Sequence, residues 1–408
     1  MTGMDTVPDM PEPTEFHFEG PEKKLDMTFS ASHNGGLRRV PEDLWTQVLT
    51  DAKCSILHRI SNDTFDAFLL SESSLFVYPS RVIAKTCGQT TLLNLIPHLF
   101  AMASALGMKP LTLTYGHYRY KFPDEQLEPH RNFETERASL DKLFAGAQSA
   151  TLAGSDPVVH EVASKGQERC WHLYAADLRR IEMDEVGGVP GSFPGFTVPA
   201  GVQALRDQAV ADRDQGYATP PCSDDGEVEV AEAPERRALD GEVTGETVLE
   251  VAMEGLAPAF TRHFFYDGEA GAARAADPPA VARACGIAAL LPGVDLDSWC
   301  FEPCGFSLNG QQGAYYYTIH ITPEPQMSFA SFETNDPCCS SHAFLSSLLD
   351  TFVPQDATVL VTARAGGDKV AAQDLLGLHA AGYKCARSAA NQDLGSALVA
   401  SCAVLDRA

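Results

Sequence analysis

The stretch FLLSESSLFVYPSRVIAKTCGQTTL, Phe68 to Leu92, sets Ser71, Glu72, Ser73 and Ser74 inside an apolar run of strand-like composition. Strand interiors favour β-branched and aromatic residues, and a buried hydroxyl or carboxylate is costly unless paired. Two readings are open: a turn at the surface, or a hydroxyl placed beside one particular peptide bond. The second carries chemistry. A Ser hydroxyl can attack the carbonyl that precedes it, exchanging amide for ester. The step is uphill and needs a strained peptide, a base and a site for the oxyanion. Elimination from the ester frees the preceding residue as a new C-terminus and leaves dehydroalanine, whose hydrolysis gives a pyruvoyl ketone. At Glu72–Ser73 the products would end at Glu72 and begin at position 73. On the tripeptide alone a hairpin turn is the commoner outcome.

The elements around this segment set its place. PEDLWTQVLTDAKC reads as a helix opened by Pro41, with acidic residues in its first turn. FHFEGPEKKLDMTF suggests a strand with a turn or short helix, and DTFDAFLL and SLFVYPSRVIAKTC read as adjacent strands. QTTLLNLIPHLFAMASALG reads as an apolar helix capped by Thr90 or Thr91, ended at Gly107, with Pro97 in its first turns or at a kink. AYYYTIHITPEP alternates strictly: Tyr315, Tyr317, Ile319 and Ile321 on one face, Tyr316, Thr318 and His320 on the other. MSFASFET and ATVLVTAR read as further strands and SSHAFLSSLLDTF as a helix. Strands followed by a helix on both sides of an acidic stretch give α+β with antiparallel sheets; no residue-level repeat is visible. Residues 1–14 are Pro-rich and acidic and expected to be disordered; so, largely, is the acidic insert over about 182–245, leaving one domain over 15–408.

The 408 residues carry a net charge of −25 and are 44% hydrophobic. That balance supports a real core and argues against nucleic acid and anionic membrane as partners, since both need basic patches. The N-terminus lacks a basic region and an apolar region, and the most apolar long segment contains Asn94, Pro97 and His98, so the cytosol is the expected compartment. The 11 cysteines read as thiols, mostly buried, without zinc-site spacing. His320 and Glu324 mimic a metal pair, but Pro323 and Pro325 forbid the helix it would need, so no metal is expected.

In chain order the blocks FEGPEKKL, LSESSLFV with KTCGQTTLL, PHRNFETE, FEPCGFSLNG and YYTIHITPEPQMSFASFET resemble eukaryotic S-adenosylmethionine decarboxylase. They span most of the ordered chain; the acidic insert and the residues around GEAGAARAADPP depart from the pattern. The resemblance implies a four-layer αββα sandwich of two facing antiparallel sheets, with the reactive end at a sheet edge beside strand 314–321. It implies a proenzyme that cuts itself after Glu72, converts Ser73 into a pyruvoyl cofactor, and keeps its small and large chains together. The pyruvoyl would form a Schiff base with S-adenosylmethionine and release CO2. The product would feed spermidine and spermine synthesis.

Residue by residue, Cys87 matches the thiol that reprotonates the substrate carbon, and Ser307 and His320 match groups that drive processing. Phe18 and Phe301 match aromatics that sandwich adenine, and Glu324 a carboxylate that grips the ribose. Glu19 matches an active-site residue and Glu22 a carboxylate needed for activity and processing. Asp26, Glu246, Glu250 and Glu333 align with a putrescine site in animal relatives. Glu246 in place of Asp and Val248 in place of Thr weigh against activation by putrescine, as in plant members. Some of these carboxylates are expected to be buried and mutually hydrogen-bonded, with raised pKa values. The resemblance leaves homodimer and monomer both open. A non-catalytic paralogue that activates a partner decarboxylase is the alternative, weakened because Ser73, Cys87, Ser307 and His320 are all present.

Overall fold

The computed structural model describes residues 18–31, 35–151, 158–163, 170–179, 196–214, 245–266, 277–364, 383–393 and 398–407. The expected tail over 1–14 lies outside them.

Among the described residues, sixteen strands form two antiparallel sheets of eight. The first contains β1 (Lys23–Phe29), β2 (Ile56–Ser61), β3 (Asp66–Leu70), β4 (Ser73–Tyr78), β5 (Arg81–Thr86), β6 (Pro110–Tyr118), β7 (Val158–Ala163) and β8 (Cys170–Asp177). The second contains β9 (Thr247–Glu254), β10 (Asp295–Cys300), β11 (Phe306–Gln312), β12 (Tyr315–Thr322), β13 (Phe329–Thr334), β14 (Asp356–Arg364), β15 (Tyr383–Asp393) and β16 (Leu398–Arg407). The spatial orders are β2-β3-β4-β5-β1-β6-β8-β7 and β10-β11-β12-β13-β9-β14-β16-β15. Counting β9 as the first strand of its half, these orders are identical, so the fold is a duplication that the residue pattern does not show.

Helices cover the outer faces. On the first sheet lie α1 (Glu42–Asp51), α2 (Leu95–Ala105), α3 (Phe133–Thr151) and α4 (Ala200–Asp214). Alternate residues of β1 (Leu25, Met27, Phe29) join Leu44, Trp45, Leu99, Phe100 and Leu140 in one core. The second sheet carries α5 (Pro258–Thr261), α6 (Pro278–Ala284), α7 (Ile287–Leu290) and α8 (His342–Phe352). There Tyr317, Ile319 and Ile321 pack with Leu345, Leu348 and Phe352. The inner faces meet through a few apolar residues, among them Phe76, Ile83 and Tyr316, and otherwise through polar and charged side chains. The αββα sandwich and the two faces of strand 315–322 thus stand as the sequence implied.

Three expectations need correction. Within the insert expected to be largely disordered, residues 200–214 form α4, which packs against α2 and buries Val202 and Leu205. Its small apolar side at Val202, Leu205 and Ala209 was masked by acidic flanks. Neither Thr90 nor Thr91 caps α2 with its side chain: a 3₁₀ turn at Leu92–Asn94 precedes it, and Pro97 sits in its first turn. The reactive segment is not at an edge strand. β4 is paired on both sides, and β12 meets it from the opposite sheet rather than beside it.

Candidate active site

Ser71 and Glu72 form a two-residue turn between β3 and β4, with Leu70 paired to Ser73. Both readings of the tetrad therefore hold: it is a hairpin turn, but Ser73 is 1% exposed. Ser73 has φ 138°, a region unfavourable for any residue with a Cβ. Such a backbone persists only when its surroundings enforce it, at roughly 1–3 kcal/mol. The strain sits on the peptide bond that the chemistry would break.

Three groups converge there. The Ser73 hydroxyl donates to the Glu22 carboxylate and lies 3.0 Å from His320 Nε2. On the other side of the bond, the Glu72 carbonyl oxygen accepts from the Cys87 backbone N–H at 2.8 Å and from the Cys87 thiol at 3.1 Å. Two donors at these distances form an oxyanion site. β5 positions Cys87: Thr86 pairs with Ser73, so the residue after it reaches back over the turn.

Burial of Glu22 favours its neutral form, but the Lys85 ammonium at 3.2 Å, with hydrogen bonds from Ser331 and Ser73, holds it below the usual carboxylate range. It is a carboxylate poised to take the Ser73 proton. His320 Nδ1 lies 2.7 Å from Ser307 Oγ, its partner in the β11–β12 register. Burial pushes the imidazole down to about 4, so it is neutral at pH 7. With its proton on Nδ1 and donated to Ser307, Nε2 turns a lone pair toward Ser73.

A cleft of about 230 Å³ opens over the turn. Phe18, Glu72, Ser73, Cys87, Phe301, Ser307, His320 and Glu324 all line it. Phe18 sits beside Gly88 and Phe301 beside Gly305, whose φ of 123° only glycine adopts readily. Glu72 Oε2 finds no hydrogen-bond partner among the described residues, and burial pushes this carboxyl up to about 7.

The description "Adenosylmethionine decarboxylase" belongs to the family model that matches residues 15–401. An S-adenosylmethionine decarboxylase proenzyme of Ipomoea nil is 30% identical over 381 residues, covering 90% of this chain and 84% of the relative. The proenzyme of Dictyostelium discoideum is 31% identical, covering 88% and 78%, and that of Drosophila melanogaster 30% identical, covering 85% and 82%. The chain belongs to the adenosylmethionine decarboxylase family. A solved Trypanosoma brucei AdoMetDC-delta26 monomer is 19% identical, with a TM-score of 0.48 over 82% of this chain and 99% of that one.

A pyruvoyl group fits the residues of this family member on its own geometry. The serine whose α-carbon would become the ketone is buried and strained, and its hydroxyl and preceding carbonyl are flanked by a base and two oxyanion donors.

Not every family-matched residue lines the cleft. Glu19 is buried, and both its oxygens are taken at 2.7 Å by the backbone N–H groups of Lys121 and Phe122, while its own carbonyl accepts from Gly88. It fastens two loops behind the site. The four carboxylates of the second group do lie between the sheets, but they are not hydrogen-bonded to one another. Asp26 is gripped by Arg81 and Arg364, Glu246 by Arg81, Glu250 by Lys24, and Glu333 by Lys24, Lys85 and Tyr316. The arginines hold Asp26 well below the usual carboxylate range, and Lys24 and Lys85 lower Glu333. Glu250 rises, to about 7, through burial and its neighbour Glu333.

The chain thus brings its own cations, which the residue-level reading did not single out. On the strand face that carries them, Arg81, Ile83 and Lys85 alternate inward from β5, so the signal was present in the spacing. Ser74, Asn309 and Thr318 were likewise missed. They surround His320 Nε2 through Ser74 Oγ at 3.0 Å and Thr318 Oγ1 at 2.8 Å, while Asn309 accepts from Ser74.

Proposed function

We propose that the chain cuts its own backbone between Glu72 and Ser73 and uses the resulting ketone to decarboxylate S-adenosylmethionine. The products are CO2 and decarboxylated S-adenosylmethionine, the aminopropyl donor for spermidine and spermine. The supporting observation is a positive-φ serine whose hydroxyl meets a carboxylate while the preceding carbonyl meets two donors.

Glu22 takes the proton of Ser73 Oγ as that oxygen bonds to the Glu72 carbonyl carbon. The Cys87 N–H and thiol carry the charge that develops on the carbonyl oxygen. The C–N bond breaks, its nitrogen keeps the electron pair and takes back the proton, and the strained φ is relieved. His320 removes the Ser73 α-proton, the ester C–O bond breaks, and Glu72 departs as a carboxylate. Water then replaces the residue-73 nitrogen, which leaves as ammonia, and the ketone remains.

The pyruvoyl group supplies a carbonyl that condenses with the substrate amine and accepts the electron pair of the breaking C–CO2 bond. Phe18 and Phe301 offer flat apolar faces to the adenine. Glu324 offers two acceptor oxygens to the ribose diol, and with Glu72 makes the cleft favourable to a sulfonium cation. The Cys87 thiol, kept protonated by burial and by Glu72 and Glu22, returns a proton to the substrate carbon. Asp26, Glu246, Glu250 and Glu333 have ammonium and guanidinium partners within the chain, which supports activity without putrescine.

Intact-mass spectrometry tests the cut: the expected result is two chains divided between residues 72 and 73, the larger without a free α-amine. Carboxyl-labelled S-adenosylmethionine should release labelled CO2. A single uncut polypeptide that releases none sinks the reading, and Ser73→Ala should behave that way.

A further inference from the structure

We infer that Lys23 is the positioning residue of the Cys87 thiol: its ammonium, tied to the Gly88 carbonyl, fixes the turn that aims Cys87 at the cut bond and supplies the positive charge beneath the thiol. This rests on the reaction proposed above, in which Cys87 moves a proton.

Lys23 opens β1 with its side chain on the helix side of the sheet, away from the charged layer that Lys24 and Asp26 enter. It is fully buried. Its Nζ donates to Gly88 O and to Gln126 Oε1, both at 2.9 Å, and lies 5.3 Å from the centre of the Tyr120 ring. Among the described residues no carboxylate forms an ion pair with it, unlike Lys24 and Lys85. A buried ammonium held by two carbonyl oxygens and an aromatic face has been left with field to spare.

That field reaches the site. Gly88 has φ 61°, and its N–H is held by Glu19 O at 3.1 Å while its carbonyl is held by Lys23. Gly88 is therefore held through both of its peptide groups, which fixes the turn after Cys87 and with it the direction of the Cys87 N–H and Sγ toward Glu72 O. Burial, Glu72 and Glu22 all oppose ionisation of the Cys87 thiol, and the Lys23 ammonium opposes them. The ammonium also lowers Glu72 and stabilises Glu19 as a carboxylate. Further groups facing it are Cys54, His130 and Glu136. Burial in turn brings Lys23 itself down to about 8, eased by Cys87, Glu136 and Glu19. A thiol in an acidic, dry cleft can hand over its proton only if the negative charge left behind meets a cation, and Lys23 is placed to be that cation.

The test compares Lys23→Met, Lys23→Arg and Gln126→Leu with the parent, using the full chain. Three readouts are followed: division into two chains, release of labelled CO2 resolved into kcat and KM, and the pH profile of Cys87 alkylation by iodoacetamide, located by peptide mass. In Lys23→Met the alkylation rate at pH 7, where the ammonium is charged, should fall about tenfold, and kcat should fall at least as far with KM little changed. Lys23→Arg should restore the rate at pH 7, because the charge returns even if the fit does not. Gln126→Leu keeps the ammonium and removes one acceptor; it should leave the alkylation rate at pH 7 near the parent's and lower kcat a few-fold. A folded Lys23→Met with the parent's alkylation rate at pH 7 and kcat overturns the inference. If Lys23→Met does not fold, Gln126→Leu and Lys23→Arg decide: a parental kcat in Gln126→Leu, or an alkylation rate at pH 7 in Lys23→Arg about tenfold below the parent's, overturns it. A parent chain that alkylates at Cys87 but neither divides nor releases CO2 marks failure of the decarboxylase reading instead, and the alkylation comparison still reports on Lys23.

Discussion

Glu250 gives the most quantitative handle on the layer between the sheets. Four cations (Lys24, Arg81, Lys85, Arg364) face five carboxylates there (Glu22, Asp26, Glu246, Glu250, Glu333), so one carboxylate lacks a full counter-charge. The proton that settles the balance sits on Glu250, whose folded value is about 7 against 4.5 for an ordinary glutamate. A folded protein that holds a proton the unfolded chain has released loses stability as pH rises from about 4.5 to about 7 and levels off above. The loss is about 3 kcal/mol at each unit's worth of 1.4 kcal/mol. Glu250→Gln mimics the protonated form and abolishes the effect. Built on Ser73→Ala, so that a single covalent chain is followed, urea unfolding should show the variant gaining about 3 kcal/mol on its parent between pH 5 and pH 8. His172 and His320, held neutral by burial, make both proteins less stable as pH falls below about 6, and so cancel in the difference. A difference that stays constant within about 0.5 kcal/mol across that range refutes the charge count.

Three further outcomes are expected. Because His320 sits near 4 and acts as a base, self-cutting should be insensitive to pH from 8 down to about 5 and fail as the ring protonates below that, read from the rate of band division. Cys87→Ala keeps its backbone donor but loses the thiol, so it should still divide, about tenfold or more slowly, and release little CO2 afterwards. Added putrescine should leave kcat of the parent within about twofold, since a dication would overfill a layer short of less than one positive charge; a large stimulation in the CO2 assay would contradict that.

Much of this was legible in residue order. The alternation of Tyr315 to Ile321 fixed which side of β12 faces the helices and hence that Thr318 and His320 point inward. The resemblance singled out Ser73, Cys87, Ser307 and His320, and all four line one cleft. What stayed hidden depends on contacts far apart in sequence. Glu22 to Ser331 and Lys85 to Glu333 each span more than 240 residues, so neither charge could be matched to its partner by spacing. That Glu19 ties down the backbone at Lys121 and Phe122 stayed hidden because its carboxylate partners are amides, which carry no residue-type signal. The duplicated strand order was invisible because the two sheets share connectivity while their inner faces differ: the first contributes Lys24, Arg81 and Lys85 with Asp26, the second Glu250 and Glu333 with Arg364.

The strand order has a consequence for the life history of the molecule. The segment before Ser73 supplies β1, β2 and β3, yet β1 is slotted between β5 and β6, which belong to the remainder. The proposed division between residues 72 and 73 would therefore leave a short peptide woven through the middle of a larger one, unable to leave without unzipping both sides of β1. Folding would have to precede such a cut, and the cut would erase the serine that made it. Once unravelled, such a protein could not start again from one thread: two separate pieces would have to find each other, so its durability is set by how slowly it first comes apart.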